Sequence, residues 1–347
     1  MANTMTAAVL YGKEDLRIER LPVPSAGPGE IVVRIAAALT CGTDLKVYRR
    51  GYHAKMLKPP IPFGHELAGT VEEAGEGVTK FRKGDRVVAL NSAPCDQCYY
   101  CRHGQQNLCD DLLFNNGAYA EYIRIPARIV EKNTLHIPEG VPFEHAALTE
   151  PLACVVRGLE ETNPQPGDSI AVIGAGPIGL MFMHAAQLAG LQVIAVVKRD
   201  EQVEAAKVFG AEEVVQITAV EDVVAAVRAL TPDHRGVDIA VEAVATPLAW
   251  QQAVAMVRKG GTVNFFGGCA AGTKVELDTN RLHYNDITLK ATFHHTPGTA
   301  RRAFDLITSG RFKCREYITG RARLADIGDV FRKLMDRSND IKTAIIP

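Results

Sequence analysis

The sequence predicts an α/β protein in two parts: a β-rich first third and a doubly wound parallel sheet in the middle of the chain. Three observations lead there. Residues 6–11, 30–39, 68–75 and 81–90 are short β-branched runs cut by Pro and Gly, the texture of antiparallel strands. From about residue 168, fully apolar strand-length runs alternate with helix-length stretches, as in a parallel sheet buried on both faces. Between these parts, residues 91–117 are polar, turn-rich and hold four cysteines, a lobe that needs something other than an apolar core.

Taken in order, TAAVLY, EIVVRIAAAL, AGTVEEAG and FRKGDRVVAL supply the early strands. SIAVIGAG (169–176) is a buried strand ending in Gly, and IGLMFMHAAQLAG (178–190) is a helix closed by Gly190. QVIAVV (192–197), EEVVQI (212–217), VDIAVEAV (237–244) and GTVNFFGG (261–268) are further strands. Helices at 201–210, 220–230 and 248–259 separate them. DITLKATF (286–293) is strand-like, residues 298–337 have a helical texture, and KTAIIP ends the sequence as a strand.

Composition bounds the function. Lys and Arg number 39 against 40 Asp and Glu, a net charge of −1, so no bulk basic excess points to nucleic acid or an anionic membrane surface. No run approaches the ~18 apolar residues of a membrane span. The first twenty residues lack a basic segment followed by an apolar one, so the expected compartment is the cytoplasm. There, crowded cysteines suggest a metal site, not disulfides.

Gly174-Ala175-Gly176-Pro177-Ile178-Gly179 fits the dinucleotide-binding pattern, and it stands between a predicted strand and a predicted helix. Gly174 allows the tight turn, Gly176 lets backbone approach a pyrophosphate, and Gly179 lets helix pack on strand. The second strand ends in Val197, Lys198 and Arg199, where an NAD enzyme usually carries a carboxylate for the ribose 2′-hydroxyl. Two cations suit a 2′-phosphate, so NADP is favoured, with NAD as the alternative and Asp200 near enough to serve a ribose.

Cys95, Cys98, Cys101 and Cys109 offer four soft donors, enough to close a tetrahedral structural zinc site. An iron–sulfur cluster fits less well, because the last spacing is seven residues and Asp110, not Pro, follows Cys109. Three further groups are weak alone: Cys41-Gly42-Thr43-Asp44, Gly64-His65-Glu66 and Glu150-Pro151.

Together, however, CGTD, GHE, the four-cysteine lobe, GAYAEY (117–122), TEPLA (149–153) and GAGPIG stand in a recognisable order. The chain resembles the zinc-dependent medium-chain dehydrogenases over essentially its whole length. It is most similar to the polyol branch, with sorbitol and threonine 3-dehydrogenases. The resemblance implies a groES-like catalytic domain over 1–154, a Rossmann domain inserted over 155–289, and a return to the catalytic domain over 290–347. It implies a catalytic zinc held by Cys41, His65 and one or both of Glu66 and Glu150, with Asp44 orienting the His65 ring. Thr43 would take the proton of a substrate alcohol while hydride passes to the nicotinamide. Lys46 stands where relatives commonly carry a relay histidine. His294 and His295, and more weakly Tyr48, Phe114 and Asn116, fall near the region where relatives bind substrate.

The expected activity is oxidation of a secondary alcohol in a polar substrate (polyol, sugar, cyclitol or amino alcohol) to the ketone, with two zinc ions per chain and NADP. A homodimer or homotetramer is expected from the resemblance. An NAD-dependent threonine 3-dehydrogenase-like enzyme is the alternative within the fold. A non-catalytic nucleotide-binding sensor is the alternative from another class.

Overall fold

A computed structural model describes residues 3–53, 55–336 and 340–347. The chain divides into two compact units, Met1–Ala153 with His295–Pro347, and Cys154–His294. The second segment of the first unit begins at His295.

The first unit is built on a seven-stranded sheet. Its main path runs Thr134–His136, Arg86–Ala89, Leu67–Ala74, Ile31–Leu39, Lys342–Ile346, Ile318–Arg323, with Tyr122–Ile125 also paired to Ile31–Leu39. The central strands are buried apolar runs, and their inward side chains pack with Phe63, Tyr119 and Phe331 in one core. The C-terminal strand pairs antiparallel with Ile31–Leu39, setting Ala344 opposite Leu39. A smaller sheet joins Asp15–Pro22, Thr4–Gly12 and Ile61–Pro62.

The second unit is a six-stranded, wholly parallel sheet. Its order is Glu213–Gln216, Gln192–Val197, Ser169–Ile173, Val237–Glu242, Val257–Phe265, Thr288–Ala291. The order reverses beside the first strand, Ser169–Ile173, which marks the end where such sheets bind ligands. All five residues of that strand are buried, which is why it reads as an unbroken apolar run.

Several elements differ from the sequence expectation. The tail is not helical throughout: Ile318–Arg323 is a strand whose residues alternate half-buried and exposed, held by parallel pairing to Lys342–Ile346. Arg337, at the end of the expected helical stretch, lies outside the described residues. Of residues 81–90, only Arg86–Ala89 is a strand, because Lys83–Gly84 turn the chain. The strand expected from 261 begins at Val257, directly after the helix Pro247–Met256.

Candidate functional site

The strand Ile31–Leu39 delivers Cys41 to the N-cap of the helix Gly42–Arg50. The Thr43 backbone N–H donates to Cys41 Sγ at 3.4 Å. The sulfur thus accepts from one of the open N–H groups of the helix start. Asp44, one residue on, is buried and turned inward, whereas Thr43 is half-buried and Lys46 exposed.

His65 and Glu66 immediately precede the strand Leu67–Ala74, which pairs with Ile31–Leu39. Gly64 before them has φ +90°, and a Cβ there would meet the Tyr119 ring at 2.7 Å. Glycine lets the chain turn against the tyrosine and present His65 inward. His65 Nδ1 donates to Asp44 Oδ1 at 2.9 Å, and the Tyr119 hydroxyl donates to Asp44 Oδ2 at 2.6 Å. With Nδ1 so engaged, Nε2 offers the lone pair. Ligand atoms of Cys41, His65 and Glu66 all lie within 4.8 Å of one another.

Glu150 stands in the first turn of the helix Thr149–Glu160, with Oε2 3.9 Å from His65 Nε2. Its other oxygen lies 3.9 Å from His295 Nε2, which is 3.0 Å from Asn91 Oδ1. His294 ends the second unit with φ +67°. Among the weaker candidates, Tyr48 is a core residue, its ring 5.2 Å from that of Phe331. Asn116 spends its amide N–H₂ on the Met56 carbonyl at 3.0 Å, and Phe114 lies in the short strand Leu113–Phe114.

Sequence reading missed two residues here, Tyr119 and Lys342. Lys342 is 1% exposed and Glu66 fully buried. The Lys342 ammonium donates to both Glu66 oxygens, at 2.8 and 2.6 Å, and to the Thr40 carbonyl at 2.9 Å. Three donors thus meet three acceptors, as a buried ion pair requires. Register sets this up: Thr343 N–H donates to Thr40 Oγ1 at 2.9 Å, locking the last strand beside the segment that leads to Cys41.

The electrostatics favour a cation. Three buried carboxylates, Asp44, Glu66 and Glu150, face one buried ammonium, Lys342. Burial works against a charged His65, but the Asp44 carboxylate and Cys41 reverse it and raise its pKa well above the ordinary value. Glu150 moves to about 7, chiefly because burial penalises its charge, with Glu66 adding repulsion.

In the lobe, the Cys95, Cys98, Cys101 and Cys109 sulfurs also lie within 4.8 Å of one another. The N–H groups of Gln97 and Cys98 point at Cys95 Sγ, both at 3.4 Å, and they lower its pKa to about 6. Burial pushes Cys101 up to about 12.

In the second unit, Gly174 turns at φ +102°, and the helix Pro177–Leu188 starts from Gly176 with Pro177 at its first turn. A Cβ on Gly179 would meet the Gly174 carbonyl at 1.8 Å, so only glycine lets this helix, which continues through Ile178, sit so close. A Cβ on Gly176 would meet nothing within 4 Å. No side chain caps this N-terminus, which leaves its N–H groups for a ligand. Lys198 and Arg199 follow the strand Gln192–Val197, with Arg199 Nη1 3.2 Å from Glu201. Asp200 accepts a hydrogen bond from the Gln216 amide at 2.6 Å.

The alcohol dehydrogenase GroES-like domain family matches residues 27–139, and the zinc-binding dehydrogenase family matches 177–309. Sorbitol dehydrogenase of Bacillus subtilis is 31% identical over 99% of this chain and 97% of its own length. The chain belongs to the zinc-dependent medium-chain dehydrogenase family. This dehydrogenase is also 36% identical to L-threonine 3-dehydrogenase of Pyrococcus abyssi, over 81% of this chain and 79% of that protein. Among solved structures it is similar to one described as a zinc-binding dehydrogenase from Sinorhizobium meliloti 1021, bound to NADP. There the TM-score is 0.91 at 28% identity, covering 99% of this chain and 100% of the other. The 2R,3R-butanediol dehydrogenase of Bacillus subtilis gives a TM-score of 0.89 at 26% identity, covering 99% of each chain. The fold is accordingly a GroES-like domain with a Rossmann-type parallel sheet, and the dehydrogenase is of the zinc-type alcohol and polyol class. Among the described residues no helix is long and apolar enough to cross a membrane.

Proposed function

We propose that this dehydrogenase oxidises a secondary alcohol of a polar substrate to the ketone, using NADP and a zinc held by Cys41, His65 and Glu150. The observation that carries the reading is His65, whose Nε2 lies 3.9 Å from Glu150 Oε2 and whose ring has a nitrogen within 4.8 Å of the Cys41 sulfur. The gap to Glu150 is too wide for a hydrogen bond, so the two atoms face each other without bonding directly, as two residues that would hold one ion do. A thiolate, an imidazole and a carboxylate are donors that suit zinc, and the excess of buried carboxylate welcomes a dication. Glu66 is assigned to Lys342 and kept out of the ligand set, because both of its oxygens accept from that ammonium. The four cysteines of the lobe fit a second, structural zinc, since N–H groups aimed at sulfur stabilise thiolates.

When bound, a zinc ion in the first site supplies Lewis acidity that lowers the pKa of a substrate hydroxyl. Asp44 keeps His65 in one tautomer and one orientation. Thr43 Oγ1 accepts the hydroxyl proton and passes it to water. NADP, when held by this unit, would supply the two-electron acceptor for the carbinol hydride, so that loss of proton and hydride together gives the ketone. The 174–179 turn would hold its pyrophosphate, and Lys198 with Arg199 its 2′-phosphate. The engagement of Asp200 by Gln216 supports NADP, because it occupies the nearby carboxylate suited to a ribose hydroxyl. His295 and Asn91 next to Glu150 give the site polar walls suited to a polyol, sugar, cyclitol or amino alcohol.

The test is a panel of polyols, cyclitols and amino alcohols followed at the nicotinamide absorbance with NADP and NAD in parallel, together with metal analysis. Two zinc ions per chain and turnover with NADP are expected. Cys41→Ser should abolish turnover with the circular dichroism spectrum unchanged; full activity in that variant would defeat the ligand assignment. The 36% identity to an L-threonine 3-dehydrogenase favours a second reading, NAD-linked oxidation of threonine. Faster turnover of L-threonine with NAD than of any polyol with NADP would select it.

A further inference from the structure

We propose that Tyr119 is a positioning residue of the metal centre: its hydroxyl holds Asp44, and through Asp44 it fixes the His65 imidazole. This rests on the reading of His65 as a metal ligand. Two bonds in series make the connection. Tyr119 donates to Asp44 Oδ2 at 2.6 Å, and Asp44 Oδ1 accepts from His65 Nδ1 at 2.9 Å. The two oxygens of one buried carboxylate are thus divided between a phenol and a ligand ring.

Tyr119 has no freedom to leave that contact. Its ring meets Phe63 edge-on at 5.9 Å and Phe331 edge-on at 6.0 Å. Its backbone is tied on both sides: Tyr119 N–H donates to the Phe63 carbonyl, and Ala8 N–H to the Tyr119 carbonyl, each at 2.8 Å. Phenylalanine would fill the same core volume, so packing alone gives the oxygen no task. The hydroxyl also lies 3.1 Å from the Leu39 carbonyl. A phenol has one proton, and the shorter, charge-assisted contact to the carboxylate takes it. Without that donor, a buried carboxylate loses a partner and turns toward another, and the ring it orients turns with it.

The experiment measures metal affinity, not turnover. Zn²⁺ is titrated against a chromophoric chelator, and Co²⁺ substitution reports the ligand geometry by its visible absorption. Cys41→Ser first identifies which class of bound zinc belongs to the Cys41 and His65 site. If that variant keeps both classes, the ligand reading itself fails and the proposal falls with it. If it loses one class, Y119F is expected to weaken that class about three- to tenfold, less than removal of a direct partner of a ligand ring, which typically costs 10–100-fold. The four-cysteine class should not change, and the Co²⁺ bands of the first site should shift. In an Asp44→Ala background, Y119F should add nothing, because the side chain that links it to the metal is then gone. Unchanged affinity in Y119F, or the same loss with Ala at position 44, would overturn the proposal. So would a fall in the Tm of the metal-free chain with zinc affinity intact, which is the signature of a packing role alone.

Discussion

At the scale of single residues, the most demanding feature of the catalytic unit is an ammonium held out of water. Lys342 stays charged because Glu66 accepts two of its bonds and Thr40 a third, which outweighs the burial that would otherwise deprotonate it. Such a pair is a poor source of net stability, yet removing one partner strands the other. Lys342→Met should therefore destabilise the chain by about 3–5 kcal/mol, whereas the double variant Lys342→Met/Glu66→Gln should recover most of that loss. Thermal unfolding of the metal-free proteins measures it; equal losses in the single and double variants would mean that the pair is not what holds this region. None of this was readable from the chain. A lone Lys at the start of KTAIIP reads as a flanking surface charge, and its partner lies 276 residues away. Tyr119 was hidden differently: inside GAYAEY it passes for a core aromatic, and only coordinates reveal which atom its oxygen meets.

At the scale of elements, legibility followed burial. The strands Ser169–Ile173, Gln192–Val197 and Val237–Glu242 are buried along most of their length, so their apolar runs announced a parallel sheet. The strand Asp15–Pro22 is largely exposed and charged, and it owes its form to pairing with Thr4–Gly12, which no local pattern records. The helix Gly42–Arg50 was missed for a similar reason, since only Asp44, Val47 and Tyr48 among its residues are buried. Its position is nevertheless what sets Cys41, Thr43 and Asp44 at one helix start. The cofactor element permits a quantitative expectation. Lys198 and Arg199 follow a strand end whose nearest carboxylate, Asp200, is engaged by Gln216. A hydrogen bond to a charged group contributes about 1.5–3 kcal/mol, so Arg199→Ala should lower the ratio of kcat/KM for NADP over NAD by about ten- to a hundredfold. Paired initial-rate measurements decide it, and an unchanged ratio would mean that Arg199, 3.2 Å from Glu201, serves that neighbour alone.

At the scale of the whole molecule, the two kinds of chemistry fall in different compact units. Cys41, His65 and Glu150 of the proposed catalytic site and the four cysteines of the lobe lie within Met1–Ala153, and the glycine turn with Lys198 and Arg199 lies within Cys154–His294. The nucleotide unit has its own sheet and its own apolar cluster around Val196, Ala240 and Phe265. The glycine turn takes its shape from Gly174 and Gly179 and its open donors from a helix start. Loss of metal should therefore abolish turnover while leaving nucleotide binding nearly unchanged. The chain carries its own reporter. Trp250, the single tryptophan, stacks on Phe265 at 3.9 Å and donates to the Gly267 carbonyl at 3.2 Å, all within the nucleotide unit. Reduced nicotinamide absorbs where tryptophan emits, so NADPH binding should quench Trp250 emission with the same midpoint in the zinc-loaded, chelator-treated and Cys41→Ser proteins. Removing zinc from the four-cysteine lobe as well should lower the Tm, because a closed thiolate site adds its binding free energy to folding, without moving that midpoint. A midpoint that rises tenfold or more on loss of the Cys41 site alone would show that the turn is shaped through the metal centre, and the division of labour between the units would have to be abandoned.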